Sequence, residues 1–164
     1  MSAKKAKKKS SPDHNGTVTT NRRARFDFEL IERFEAGMSL TGSEVKSLRS
    51  GNANLKDSYA IIEGGEALLV GAYIAPYPFA RDGGHEPERP RKLLLHKREI
   101  DRIGGQAAEK GLTLIPVRIY FTRGKAKLEL ALAKGKTGVD KRETIKRREQ
   151  QREMDRALRH LGRQ

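Results

Sequence analysis

The chain of 164 residues contains no cysteine, so it can form neither a disulfide nor a thiolate metal site. It has no run of about 18 apolar residues, the length a membrane-crossing helix requires. Its Lys-rich start lacks the apolar stretch of a signal peptide. Together these absences predict a cytoplasmic protein with no membrane partner. Marks of catalysis are equally scarce. His14, His85, His96 and His160 are scattered, without metal-ligand spacing. Gly64-Gly65 is not followed by the helix that a phosphate-cradling loop needs, and no pair of carboxylates is marked by position. The expectation is therefore a binding protein, not an enzyme, with no cofactor and no metal.

What the chain has in excess is positive charge, with 35 Lys and Arg against 21 Asp and Glu. Residues 1–25 hold eight basic residues and one acidic, and residues 134–164 hold eleven and five, which leaves the middle nearly neutral. This describes a body with two basic arms, and a polyanion is the partner that fits. A solubilising charge excess is the bland alternative. Neither arm carries a broad apolar face with aromatic anchors, which argues against a membrane surface.

Residues 1–20 are mostly Lys, Ser, Thr and Asn, and predict a disordered basic tail. From Asn21 apolar residues return. Phe26, Phe28, Leu30 and Phe34 share one parity and predict a half-buried strand ending near Gly37. Thr41-Gly42-Ser43 then turns into a short helix with Ser43 as its expected N-cap, Glu44 in the first turn and Gly51 as its terminator. Val45 and Leu48 share one face of that helix, and Lys46 and Arg49 another. At about two turns it is too short to stand alone, so it must dock apolar side down on a sheet. Strands at 59–63 and 67–74 are joined by a tight Gly64-Gly65 turn, and the Pro-rich stretch 76–90 reads as a long exposed loop. Arg91 to Leu95 is a short strand or a helix entry, and 97–110 has helical spacing weakened by Gly104-Gly105. Residues 112–132 alternate as a hairpin, with Ile115, Val117, Ile119 and Phe121 on one face and Pro116 at an edge or bulge.

Five or six strands with a helix or two predict a mainly β fold. An OB-like antiparallel barrel and a sandwich both fit the pattern, and small OB-like barrels commonly bind nucleic acid. Beyond Lys134 the residues are good helix formers with few apolar side chains, which predicts a tail disordered when free and helical on a polyanion. The expected domains are thus a tail at 1–20, a barrel at 21–133 and a basic tail at 134–164. Lys46 with Arg49, Arg91 with Lys92, and Lys134 with Lys136 are the basic pairs on rigid elements that could read RNA shape and backbone. Each pair alone is equally a solvated surface charge.

Four ordered blocks carry a resemblance. They are Glu44-Val45-Lys46-Ser47-Leu48-Arg49 with Asn54-Leu55 and Asp57-Ser58-Tyr59-Ala60; Arg91-Lys92-Leu93-Leu94-Leu95-His96-Lys97; Gly111-Leu112-Thr113-Leu114-Ile115-Pro116; and Gly135-Lys136 with Asp140-Lys141-Arg142. From Asn21 onward the chain resembles the bacterial SsrA-binding proteins, the small protein B family. The resemblance favours the barrel over the sandwich. It implies a non-enzymatic, monomeric adaptor. Such an adaptor binds the tRNA-like domain of transfer-messenger RNA and delivers it to stalled ribosomes for trans-translation. The family tail enters the vacant messenger channel past the decoding centre. Carried over by motif, Asn21 and Arg22, Glu44, Leu94 and His96 join the RNA face. Asp140, Lys141 and Arg142 belong to the ribosome-binding tail, continued by Lys146, Arg147 and Arg148. On sequence alone His96 reads equally as a polar strand-end residue. The second functional reading is a ribosomal or other structural RNA-binding protein. The chain departs from many members at Phe26 (His), Phe28 (Tyr), Gly84 (Asn) and Val139 (Tyr or His).

Overall fold

The computed structural model describes residues 16–81 and 83–161. The lysines at the extreme N-terminus therefore lie outside the described residues. The backbone order is β1 (Gly16–Thr20), α1 (Arg22–Asp27), β2 (Phe28–Met38), α2 (Gly42–Arg49), β3 (Ala53–Asn54), β4 (Tyr59–Glu63) and β5 (Glu66–Val70). It continues with β6 (Tyr73–Ile74), β7 (Arg91–Leu94), α3 (Lys97–Lys110), β8 (Thr113–Thr122), β9 (Lys125–Gly135) and α4 (Gly138–Leu161). Seven strands form one antiparallel sheet in the order β1-β8-β4-β5-β7-β2-β9, and β8 also pairs with β9. That last pairing closes β8, β4, β5, β7, β2 and β9 into a barrel, with β1 added along β8. Closure removes most sheet edges, which in an open sheet would invite pairing with other chains. The fold is a closed antiparallel barrel, the one of the two patterns that the resemblance favoured.

The barrel interior is filled by Ala36 and Met38 of β2, Leu69 of β5, Leu93 of β7 and Leu128, Leu130 and Leu132 of β9. Leu48 of α2 and Ile103 of α3 enter the same core and are each 0% exposed. The short helix α2 is therefore the docked plug its apolar side predicts. Its cap is Thr41, not Ser43. The Thr41 side chain accepts from the Glu44 N–H, and the Glu44 carboxylate accepts in return from the Thr41 N–H at 2.9 Å. Ser43 lies inside the helix, where its hydroxyl meets His85 Nδ1 at 2.8 Å. The turn between β4 and β5 takes φ of 58° and 75° at Gly64 and Gly65, as a two-residue hairpin loop requires.

Two expectations are corrected. Gly16–Thr20 is a strand, not part of a tail, because its backbone pairs with β8 from Phe121 to Arg118 and Val18 packs on the core. Cross-strand hydrogen bonds to residues a hundred positions away leave no trace in local composition. The strand expected from Phe26 starts at Phe28, because Asn21 caps α1 through its Oδ1, which accepts from the Ala24 N–H at 3.2 Å. The residues from Gly138, expected to be helical on a polyanion, form a helix of 24 residues. Its base is tied to the body: Lys136 Nζ donates to the Arg25 carbonyl at 3.0 Å and to Thr144 Oγ1 at 3.2 Å, and Lys141 pairs with Asp27 at 3.5 Å. These are polar tethers, which a search for apolar docking residues does not register.

The hairpin β8–β9 holds a further correction. Its register slips between Pro116 and Arg118, the bulge that a proline without an N–H suggests. The slip changes which parity faces inward. Leu114, before it, and Ile119 and Phe121, after it, point into the main core, whereas Ile115 turns outward to a second cluster with Ala24 and Ala133. Ile115 was expected to share a face with Ile119. The bulge instead creates the apolar seat on which α1 rests.

Because Leu48 plugs the barrel with no exposed surface, Leu48→Ala is expected to cost about 2–5 kcal/mol of unfolding free energy. Urea titration should show a lowered midpoint with an unchanged slope.

Candidate RNA interface

The predicted site residues fall into three places, beginning with the interior. Glu44 and Arg91 have no exposed side-chain surface. The Glu44 carboxylate accepts from Arg91 Nε at 2.9 Å and from Arg89 Nε and Nη2 at 2.8 and 2.7 Å. Arg91 also donates to the carbonyls of Ala72 at 2.6 Å and Pro87 at 2.9 Å. Burial by itself raises the Glu44 pKa, but the bonds from Arg89, the Thr41 N–H and Arg91 together outweigh it and hold the carboxyl below its ordinary value. Burial lowers that of Arg91, and the Glu44 charge offsets part of this. Asn21 is 8% exposed, and its amide donates to the carbonyls of Leu55 and Pro116 at 3.3 and 3.0 Å. These three side chains are withdrawn from the surface. Their atoms are committed to joining α2, the 75–90 loop and the start of α1 to the barrel.

The second place is a solvent-open depression of about 740 Å³ on the barrel wall. It brings Lys92, Leu94 and His96 together, as expected, and adds Glu35, Lys97 and Lys127. Leu94 is 54% exposed although it follows the buried Leu93, because alternation along β7 turns it outward. Lys92 Nζ is held by Glu66 at 2.7 Å. Glu35, which sequence reasoning missed, accepts a hydrogen bond from the Tyr120 hydroxyl and faces Lys127 Nζ at 3.9 Å. Burial and then the Glu35 bond and charge push the Tyr120 pKa up to about 12, so the phenol stays a donor at neutral pH. Arg118 lies over the Tyr120 ring at 4.5 Å and pairs with Glu129, which also binds Arg33 at 2.9 Å. The signal for Glu35 and Lys127 was present as the polar parity of β2 and β9. Only the register, which sets Gly37 opposite both Leu94 and Lys127, brings them to β7.

The third place is the junction of α1 and α4. Arg22 and Lys134 are exposed there, and Lys136 is engaged as described above. Arg148 lies 5.4 Å from the centre of the Phe26 ring, so the residue that departs from the family His is covered by a guanidinium. Arg142, Lys146 and Arg147 are exposed along α4, and the side chain of Asp140 lies outside the described residues. Lys46 and Arg49, expected to share a face of α2, each lie over an aromatic ring. Lys46 sits over Tyr77 at 5.3 Å and Arg49 over Phe121 at 5.9 Å. Gly84 has φ of 79°, a region that Asn tolerates better than most residues, so glycine preserves the backbone of members with Asn there. Among the described residues no three His, Asp or Glu side chains converge as a metal site requires. No described helix is long and apolar enough to cross a membrane.

A family model described as SmpB protein matches residues 18–160. The chain belongs to the SmpB family. It is 58% identical over 143 residues to an SsrA-binding protein of Moorella thermoacetica, spanning 87% of this chain and 92% of that protein. It is 54% identical over 149 residues to an SsrA-binding protein of Syntrophobacter fumaroxidans, spanning 91% and 92%. A solved structure described as "tmRNA-SmpB: a journey to the center of the bacterial ribosome" superposes with a TM-score of 0.62 at 50% identity. It covers 73% of this chain and 85% of that one. The SmpB match begins within β1 and ends within α4. Of the stretches that composition assigned to tails, the match takes in 18–20 and 134–160.

Glu44→Gln should leave the Arg91 charge buried with a weaker partner and cost about 3–5 kcal/mol. The folded pKa of Glu44 lies below its ordinary 4.5, so the unfolded chain binds more protons in that window. The ion pair then stabilises fully above about pH 4.5, and that part is lost as pH falls through the folded value. Urea unfolding from pH 7 to pH 3 should show a shallower acid-side loss for Glu44→Gln than for the parent.

Proposed function

We propose that the chain is a non-catalytic adaptor that binds the tRNA-like part of transfer-messenger RNA and carries it to stalled ribosomes. The observation that carries this reading is the close relation to SsrA-binding proteins over nearly their whole length. The surface chemistry supports it. The depression at Lys92, Leu94 and His96 offers cations for phosphate, an imidazole and the carboxylates of Glu35, Glu66 and Glu99 for hydroxyl and amino groups, and an apolar side chain for a base or sugar face. Lys92, Leu94, Lys127 and Glu35 sit on paired strands and His96 caps α3, so they meet a folded RNA already positioned, which suits recognition by shape and 2′-hydroxyls. Asn21, Glu44 and Arg91 contribute by holding that surface in register. The exposed basic residues Arg142, Lys146 and Arg147 project along α4, where they can follow ribosomal RNA. Such work places the protein in the cytoplasm, and we take it to act as a monomer.

Sequencing the RNA that co-purifies with the tagged protein is the direct test, and transfer-messenger RNA should dominate. Recovery in purified ribosomal subunits after a high-salt wash, without transfer-messenger RNA, would instead identify a structural ribosomal protein. Lys92→Ala combined with Lys127→Ala should weaken binding of the tRNA-like RNA. It should also flatten the slope of log affinity against log salt by about two units, roughly one per lost phosphate contact. A chain ending at Thr137 should bind that RNA nearly as the parent does, yet fail to support peptide tagging on ribosomes stalled at the end of a message.

A further inference from the structure

The Pro-rich loop between β6 and β7 carries a feature that the adaptor reading does not use. Phe79 is 79% exposed, more than any other large hydrophobic residue among those described. Its ring meets Tyr77 edge to face, with centroids 5.7 Å apart and an interplanar angle of 69°. Lys46 of α2 lies over the other ring of the pair, 5.3 Å from the Tyr77 centroid. Together with Arg81 and the Thr41–Ser43 turn, these side chains line an open hollow of about 500 Å³. Two cations and no acidic side chain stand among its described lining residues.

The loop is built to hold this arrangement. His85 bridges Ser43, at 2.8 Å from Nδ1, and the Ile74 carbonyl, at 3.0 Å from Nε2. Arg89 binds the buried Glu44, which pins the far end of the loop to α2. An exposed Phe79 ring against the half-buried Tyr77 on a pinned loop adds nothing to the core. The helix α2 connects it to the candidate RNA surface. A shallow cleft of about 340 Å³ lined by Val45, Leu94, Lys125 and Lys127 shares Gly37, Leu94 and Lys127 with the first hollow. Val45 faces this cleft, and the next residue, Lys46, faces the aromatic pair.

We propose that Tyr77, Phe79, Lys46 and Arg81 form a second RNA subsite, in which an unpaired base stacks on the aromatic pair and the adjoining phosphate is held by the two cations. The occupant is RNA because positive charge beside an exposed ring suits a nucleotide, and because α2 gives Val45 to the cleft beside the first hollow and Lys46 to this one. This subsite rests on the adaptor reading, since the same RNA would reach both hollows. The ligand class is a splayed-out nucleotide of a folded RNA, held by stacking and charge, without a demand for base identity.

The test titrates the full-length protein with the tRNA-like domain of transfer-messenger RNA. Phe79→Ala should weaken binding by roughly five- to a hundredfold, the range of a lost base stack, with an unchanged salt slope. Phe79→Trp should restore affinity and Phe79→Leu should not, because only a ring stacks. Lys46→Ala should flatten the salt slope by about one unit. Ultraviolet cross-linking should join Tyr77 or Phe79 to a nucleotide that is unpaired in the RNA. Wild-type affinity in Phe79→Ala, while Lys92→Ala with Lys127→Ala still weakens binding, would overturn the subsite and leave the adaptor reading standing. Unchanged RNA affinity with lost ribosome association would assign the pair to a protein surface instead and also overturn it. No binding by the parent protein would overturn both.

Discussion

The buried ion pair of Glu44 and Arg91 is the constraint on which the working surface depends. Two charges with no exposed side-chain area are tolerated because every strong donor and acceptor is matched: Arg89, Arg91 and the Thr41 N–H on the carboxylate, and two backbone carbonyls on the Arg91 guanidinium. The pair need not exceed a hydrophobic substitute in stability to matter. It fixes geometry, because Arg89 grips both carboxylate oxygens with its guanidinium fork while Arg91 Nε holds one of them. Glu44 belongs to α2, Arg91 opens β7, and Arg89 ends the long loop, so one carboxylate registers three segments. Lys92, Leu94 and His96 follow Arg91 along or just past β7, and their outward direction inherits this registration.

A second constraint comes from one proline. Pro116 imposes a slip on β8, and the slip redirects Ile115 from the barrel interior to its outer wall. There Ile115 and Ala133 receive Ala24, and the carbonyl of Pro116 accepts from Asn21. A bulge thus converts a closed barrel into one with a seat for α1. Through Lys136, Lys141 and Arg148, α1 and its neighbours hold the base of α4. The C-terminal helix therefore leaves the body in a direction set by polar contacts, with its outer basic residues free.

Much of the functional surface was legible, and the reasons for the rest are specific. Lys92, Leu94 and His96 stood in one motif and do share one hollow. Glu35 and Lys127 did not stand out, because an acidic residue and a lysine on the polar parity of two strands look like ordinary solvated positions. Pairing across β2, β7 and β9 gives them their place. Glu44, Arg91 and Asn21 are buried, which their motifs did not announce. A charged or polar residue in a motif reads as a surface group, since such side chains are rarely buried without partners, and the partners here are up to 95 positions away.

The sequence by itself determined the alternating strands, the Gly64-Gly65 turn, the short plug helix with its apolar side, and the uneven distribution of charge. Each follows from local periodicity, backbone preference or composition, which act over a few residues. Tertiary structure alone decided that β8 meets β9 on one edge and β1 and β4 on the other, that Gly16–Thr20 is ordered, and that Ile115 faces outward. It also decided which charges are buried and which are free. The physical reason is common to all of these. Hydrogen bonds between distant strands and ion pairs between distant segments form only once the chain has closed, and no local window of sequence contains both partners.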